Sequence, residues 1–88
     1  MAPKLHMKKS IHNEQYRQLI KMLRSLRESK GITQEQLASK LNITQGIVSK
    51  IESCERRIDV IETRNICNAL DFSFCDFVNL VENELSKQ

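Results

Sequence analysis

Residues 33–52 of the chain, TQEQLASKLNITQGIVSKIE, contain two short helical patterns separated by a turn. Thr33 and Gln36 have the spacing of a capping box, which predicts that the first helix begins just after Thr33. Asn42 predicts its end, because Asn tolerates the left-handed backbone conformation better than most residues. Thr44 predicts the N-cap of the second helix. The apolar faces of the two helices comprise Leu37, Ala38 and Leu41 and then Val48 and Ile51.

The turn between these two helices also carries an apolar residue. Ile43 follows Asn42 and can fill the angle between the helices with its side chain. The pattern therefore predicts a helix-turn-helix. In this arrangement the second helix is held outward, so that its N-terminal half can enter the major groove of DNA.

The rest of the chain predicts three further helices around this motif. An apolar face with helical spacing precedes Gly31, a residue type that commonly ends a helix. Asp59 and Asp71 mark the start and end of the fourth helix, and Ser73 begins a fifth over about residues 73–86. The predicted inner faces are Tyr16, Leu19, Ile20, Leu23 and Leu26 in the first helix and Val60, Thr63, Ile66, Cys67 and Leu70 in the fourth.

The length and composition agree with this pattern. A chain of 88 residues fits one small domain and excludes a Rossmann fold, a TIM barrel or a two-domain enzyme. Two Gly and one Pro are too few for an all-β domain, which needs frequent turns. The predicted fold class is therefore all-α, with five helices. We interpret residues 1–12 as a basic, partly flexible N-terminal arm and residues 13–88 as a single helix-turn-helix domain.

Charge is distributed unevenly along the chain. There are 14 Lys and Arg residues against 11 Asp and Glu, a net charge of +3. Residues 1–57 have a net charge of +7, whereas residues 58–88 have a net charge of −4. This asymmetry indicates a side that meets a polyanion, although a solvated surface with uneven charge explains it equally well.

The chemistry-bearing residues do not predict an enzyme. The three cysteines form no CxxC motif, so neither a disulfide framework nor a zinc site is indicated. With no Gly-rich phosphate loop and no catalytic constellation, we expect no catalytic residue, metal or cofactor. No apolar run is long enough to span a bilayer and no signal-peptide pattern is present, so we expect a cytoplasmic protein with reduced thiols.

The helix-turn-helix stretch resembles the Xre family of regulators, which includes the lambdoid phage repressors and Cro proteins. The resemblance covers about residues 16–77 and implies a five-helix, lambda-repressor-like DNA-binding domain. The matching residues are Leu26, Arg27, Gly31 and Ile32, the run from Thr33 to Ala38, Leu41, the run from Val48 to Glu52, the run from Glu55 to Arg57, and Asp59, Val60, Ala69 and Leu70.

The resemblance implies roles for individual side chains. On the recognition helix, Gln suits the N6 and N7 edge of adenine, and Lys suits O6 and N7 of guanine. At the start of the helix before it, a Gln side chain adds a donor to the free N–H groups and positive dipole that attract a phosphate. The implied base-reading residues are Gln45, Gly46, Ser49 and Lys50, and the implied phosphate contacts are Gln34, Thr44, Lys40, Arg56 and Arg57. For Lys40, an ordinary solvated position is an equally good interpretation.

The resemblance also implies a structural ion pair between Arg27 and Glu52, joining the first helix to the third. The chain departs from the family pattern at three helix ends, where Asn42, Cys54 and Asp71 stand in place of the usual Gly. Cys tolerates the left-handed region less well than Asn or Asp. We expect Cys54 in an exposed loop, either as a tolerated loop residue or as a redox-sensitive thiol.

The fifth helix carries more apolar residues than one buried face requires, which indicates a second apolar contact. We predict that it mediates homodimerisation. Two copies would then bind a pseudo-palindromic operator with half-sites about one helical turn apart, roughly 34 Å. The alternative is that these residues only complete the protomer core. The predicted interface residues are Phe74, Phe77, Val78, Val81 and Leu85.

These observations predict sequence-specific binding of double-stranded DNA by a small transcriptional repressor. The alternative is a protein–protein interaction module, or an antitoxin-like partner, that uses the helix-turn-helix fold without binding DNA. The N-terminal arm, with Lys4, Lys8 and Lys9, either follows the DNA backbone or a minor groove or serves as a solubilising tail. No second domain for a small-molecule effector is expected.

Overall fold

The computed structural model describes residues 13–87, which form five α-helices. No strand occurs within this range. The predicted all-α fold with five helices is therefore confirmed, whereas the predicted N-terminal arm, residues 1–12, lies outside the described residues. The helices are α1 (Glu14–Ser29), α2 (Gln34–Leu41), α3 (Gln45–Glu52), α4 (Val60–Ala69) and α5 (Phe74–Leu85).

Each helix begins at a polar N-cap, whose side-chain oxygen accepts a hydrogen bond from a backbone N–H in the first turn. This bond satisfies an N–H group that has no partner within the helix. Thr33 and Asp59 form complete capping boxes with Gln36 and Glu62. The five N-caps are Asn13, Thr33, Thr44, Asp59 and Ser73.

The chain leaves several helices through residues in the left-handed conformation. The φ angle is 68° at Gly31, 57° at Asn42, 64° at Cys54 and 55° at Asp71. At the last three positions the resemblance described above leads us to expect Gly, the residue type that adopts this conformation without steric cost. The chain therefore keeps the backbone turn at each position in spite of the side chain.

All five helices contribute to one apolar core. α1 packs against α3 and α5, and α2 packs against α3 and α4. The helix-turn-helix, formed by α2 and α3, is therefore held in place by α1 and α4, which pack against its inner side. The buried core residues are Tyr16, Ile20, Leu23, Leu37, Ala38, Val48, Ile51, Cys54, Ile58, Ile66, Cys67, Leu70, Phe77 and Val81.

Two burial predictions are wrong. Val60, expected on the inner face of α4, is 68% exposed, because it is the first residue of the helix and the buried face begins a turn later at Thr63. Ile58, which precedes the helix, packs into the core instead. Cys54, expected in an exposed loop, is buried in the core cluster. A role as an exposed redox-sensitive thiol therefore has no structural basis.

Within residues 13–87, none of the helices combines the length and the apolarity needed to cross a membrane. The same range contains no cluster of three or more His, Cys, Asp or Glu side chains suited to a metal ion. Cys54 and Cys67 are buried and Cys75 is exposed. Burial raises the pKa of the Cys67 thiol to about 11.

Candidate DNA-binding surface

The helix-turn-helix is formed by α2 and α3, which pack against each other. The Ile43 N–H donates to the Ala38 carbonyl oxygen at 3.0 Å and closes the turn between them. The Ile43 side chain is half-buried and packs against the core. Because Val48 and Ile51 are buried, the opposite face of α3 is turned outward.

This outward face of α3 carries the four residues predicted to read bases. Gln45, Gly46 and Lys50 are exposed, and Ser49 is half-buried. A Cβ atom added at Gly46 would meet only the Thr44 hydroxyl oxygen, at 3.9 Å. Packing within the protein therefore does not require Gly at this position. Because Gly46 has no side chain, the space next to the outward face of α3 is open there.

Arg27 in α1 and Glu52 at the end of α3 form a bidentate ion pair. Arg27 Nε lies 2.7 Å from Glu52 Oε2, and Arg27 Nη2 lies 3.0 Å from Glu52 Oε1. Arg27 Nη1 also donates to the Ile32 carbonyl oxygen at 2.7 Å. Only 9% of the Arg27 side chain and 7% of the Glu52 side chain are exposed. The hydrogen bond with Glu52 raises the pKa of Arg27 above its already high value, so the guanidinium stays charged.

A chain of side-chain hydrogen bonds runs from this ion pair to the N-terminus of α3. Gln34 Nε2 donates to Glu52 Oε1 at 2.9 Å. Gln45 Nε2 donates to Gln34 Oε1 at 2.7 Å. The first residue of α2 and the first residue of α3 are thus tied together. We refer to Arg27, Glu52, Gln34 and Gln45 as the Arg27–Gln45 chain.

Sequence reasoning did not find this connection. The sequence predicts a phosphate contact for Gln34, a base contact for Gln45 and a structural ion pair between Arg27 and Glu52, with no link among the three. Gln34 is 18 positions from Glu52 and 11 from Gln45 in the sequence, so no helical periodicity relates them. Only the packing of α2 against α3 brings these side chains together.

An open cleft of about 790 Å³ lies beside the Arg27–Gln45 chain. Its lining includes Thr33, Gln34, Ser39 and Gln45. The N-terminus of α2 opens into the cleft, and the positive end of a helix dipole attracts anions. Glu35, in the first turn of α2, also lines the cleft and opposes this attraction. The cleft thus combines the N-terminus of α2 with the first residue of the outward face of α3.

The other residues predicted to contact phosphates differ in the hydrogen bonds and ion pairs that they form within the protein. The Thr44 hydroxyl accepts a hydrogen bond from the Ile47 N–H at 3.4 Å, as the N-cap of α3. Lys40 is exposed in the last turn of α2. Arg56 forms an exposed ion pair with Glu62, with Nη2 and Oε2 3.3 Å apart. Exposed pairs of this kind contribute little to stability, so Arg56 can exchange its partner at low cost.

Arg57 and the loop after α3 are attached to α1 through Tyr16. The guanidinium of Arg57 lies over the Tyr16 ring, 4.4 Å from its centre. Tyr16 Oη accepts a hydrogen bond from the Ile58 N–H at 3.1 Å and donates to the Arg56 carbonyl oxygen at 3.5 Å. Burial raises the pKa of the Tyr16 hydroxyl, and the Ile58 hydrogen bond partly offsets this. The sequence placed Tyr16 only on the apolar face of α1, and no local signal indicates its polar contacts.

The residues predicted to form a dimer interface on α5 fall into two groups. Phe77 and Val81 are 2% and 8% exposed, so they fill the protomer core instead of forming an outer surface. This corrects the prediction for these two, whose spacing of four places both on the face of α5 that packs inward. Phe74 and Leu85 are half-buried, and Val78 is 46% exposed.

Several exposed apolar residues lie outside the predicted interface set. Val60 and Ile61 in α4 and Leu80 in α5 are all about half or more exposed. A depression of about 270 Å³ lies between α1, α4 and α5, and Val60, Phe74 and Val78 belong to its lining. We call this region the α4–α5 depression.

Comparison with known proteins agrees with the fold and with the motif. A family model described as helix-turn-helix matches residues 23–77. The structure is similar to an XRE-family like protein from Pseudomonas syringae pv. tomato str. DC3000, with 38% sequence identity and a TM-score of 0.79, over 86% of this chain and 93% of that chain. No curated protein sequence matches the chain.

A second solved structure, the clp gene regulator ClgR from Corynebacterium glutamicum, has 25% identity and a TM-score of 0.72, over 86% of this chain and 81% of that chain. The resemblance inferred from the sequence is thereby confirmed. The family model, these two structures and the five-helix fold show that the chain belongs to the XRE family of helix-turn-helix DNA-binding regulators.

Proposed function

We propose that the protein is a transcriptional repressor that recognises a specific double-stranded DNA sequence. In this proposal α3 enters the major groove, and its residues Gln45, Gly46, Ser49 and Lys50 approach the base edges. One observation carries the proposal. Gln45 is held by Gln34 at the start of an exposed helix face, so that its amide has a defined orientation. Side chains ordered in advance lose less conformational entropy on binding.

Contacts with the DNA backbone would supply much of the affinity. Gln34 and Thr44 lie at the N-termini of α2 and α3, where the helix dipoles favour phosphates. Lys40 and Arg56 would add positive charge on either side, with Arg56 exchanging Glu62 for a phosphate. Arg57 would act more indirectly, because it supports the loop through its contact with Tyr16.

We further propose that two copies bind a pseudo-palindromic operator, with half-sites roughly 34 Å apart. Exposed Val78 supports an apolar contact through the outer side of α5, with half-buried Phe74 and Leu85 at its margin. Phe77 and Val81 would support that contact from within the protomer. A dimer bound across a promoter would exclude polymerase, and its site of action would be the cytoplasm, where such DNA lies.

Selection of bound sequences from a random DNA pool tests DNA recognition and symmetry together. We expect one enriched, pseudo-palindromic motif, and binding that weakens steeply as salt increases. Lys50→Ala should cost about 1–3 kcal/mol for that motif and relax the preference at one base pair. The control Lys21→Ala removes an exposed Lys of α1 and should leave this preference intact. A reporter gene carrying the motif at its promoter should be expressed less when the protein is present.

A protein–protein interaction module or antitoxin-like partner is the second candidate. The exposed Val60 and Val78, which both line the α4–α5 depression, favour it, because contiguous exposed apolar residues commonly mark a protein contact. A folded protein that enriches no DNA sequence would support this candidate against the first.

A further inference from the structure

We propose that the carboxylate of Glu52 sets the orientation in which Gln45 presents its amide to DNA. Glu52 is then a positioning residue for base recognition, in addition to its part in the ion pair. The inference rests on the proposed function, since it concerns how the same surface distinguishes one base pair from another.

The chemistry of the two groups fixes the direction of the hydrogen bond between Glu52 and Gln34. An ionised carboxylate only accepts hydrogen bonds, whereas an amide side chain has one accepting and one donating end. Glu52 Oε1 therefore requires Gln34 to present Nε2, as observed at 2.9 Å. With Nε2 directed at Glu52, the Oε1 atom of Gln34 faces Gln45.

The same constraint passes to Gln45. Because Gln34 offers it an acceptor, Gln45 must donate through Nε2, as observed at 2.7 Å. One N–H of that amide is used, which leaves its second N–H and its Oε1 available. This remaining donor and acceptor match N7 and the N6 amino group of adenine.

The carboxylate can impose this order because it is itself fixed. Arg27 grips both of its oxygens, at 2.7 Å and 3.0 Å, and is also bound to the Ile32 carbonyl oxygen. A free Gln side chain, in contrast, turns its terminal amide over a broad range. A neutral amide at position 52 has one accepting and one donating end, so either end can face Gln34, and in each case one Arg27 N–H loses its acceptor. The orientation of Gln34 is then no longer fixed, and the donor and acceptor ends of Gln45 are no longer distinguished.

The variant Glu52→Gln tests this directly, since it keeps the size of the side chain and removes the constraint. The measurement is the ratio of affinities for the selected operator and for the operator altered at one base pair, the one at which Gln45→Ala loses its preference. We expect the ratio to fall about tenfold in Glu52→Gln. An unchanged ratio in folded Glu52→Gln would overturn the inference.

Glu55→Gln is the matched control, because it makes the same charge change close to the end of α3. Its carboxylate accepts a hydrogen bond from the Ser53 hydroxyl at 2.6 Å and takes no part in the Arg27–Gln45 chain. We expect Glu55→Gln to raise affinity for all DNA sequences modestly and to leave the ratio unchanged. A fall in the ratio as large as that of Glu52→Gln would assign the effect to charge alone and overturn the inference.

If Glu52→Gln does not fold, Gln34→Met tests whether the orientation of Gln45 depends on Glu52. This variant leaves the ion pair intact and removes the connection from Glu52 to Gln45. We expect the same loss of preference at the same base pair, and no further loss when Gln45→Ala is added. A uniform loss of affinity at every sequence would show only a phosphate contact at Gln34 and would overturn the inference. A wild-type protein that prefers no sequence would instead overturn the proposed function itself.

Discussion

The α2–α3 side and the α4–α5 side of the protein hold their surfaces in different ways. On the α2–α3 side, a nearly buried ion pair continues into two surface glutamines, so that polar groups there have fixed partners and directions. On the α4–α5 side, exposed Val60 and Val78 line an apolar depression. Hydrogen bonds select orientation, whereas apolar contacts depend mainly on area. The first surface is therefore suited to distinguishing similar ligands, and the second to covering a partner.

Arg27→Ala should break the α2–α3 side and have the largest effect on stability. The change leaves Glu52 as an unpaired charge that is nearly buried, and we expect the free energy of unfolding to fall by about 3–5 kcal/mol. Urea unfolding followed by circular dichroism measures this loss. The matched control is Arg24→Ala, whose exposed i,i+4 pair with Glu28 should contribute about 0.5 kcal/mol or less. Equal losses in the two variants would contradict a structural role for the ion pair.

Tyr16→Phe should weaken the attachment of the loop after α3 to α1, with an intermediate effect on stability. The variant leaves the buried Ile58 N–H without its acceptor, and we expect a loss of about 1–3 kcal/mol in the free energy of unfolding. Faster hydrogen exchange of the Ile58 amide would locate the loss. An unchanged exchange rate would show that the hydroxyl does not hold the loop.

The pH dependence of stability provides a second test of the contacts that Tyr16 forms with the loop after α3. Folding raises the pKa of this hydroxyl above its ordinary value of 10.0, so the folded state binds the proton more tightly than the unfolded state. The associated stability is complete below pH 10.0 and is lost as the pH rises towards the higher pKa of the folded state. The difference in stability between the wild type and Tyr16→Phe should therefore shrink in that range. A constant difference would contradict a raised pKa.

Gly46→Ala should have the smallest effect on stability, and one of opposite sign. The added Cβ meets only Thr44 Oγ1 at 3.9 Å, and replacing Gly by Ala within a helix is worth up to about 1 kcal/mol. We expect a higher melting temperature together with weaker binding to the operator, because a methyl group would occupy the space above α3. Ser25→Ala, on the exposed face of α1, is the control and should leave DNA affinity unchanged. Unchanged affinity in Gly46→Ala would show that DNA does not approach this position closely.

Local sequence signals are sufficient to predict the helices and the turns between them. Thr33 with Gln36 and Asp59 with Glu62 are capping boxes that the structure contains, and a cap depends only on residues within one turn. Burial was predicted less well at the ends of elements. Helical periodicity does not show at which residue a buried face begins, and it therefore predicts that Val60 is buried, whereas it is exposed. It also does not show that a loop turns towards the core, so Cys54 is predicted to be exposed, whereas it is buried.

The sequence by itself determined the five helices, the helix-turn-helix and the outward position of Gln45, Gly46 and Lys50, because each depends on spacing within a single element or on an adjacent turn. The tertiary structure alone decided that Gln34 joins Glu52 to Gln45 and that Tyr16 holds the loop after α3. These contacts connect residues from different helices. They form only when packing brings the helices within hydrogen-bond distance, a condition that no spacing along the chain expresses.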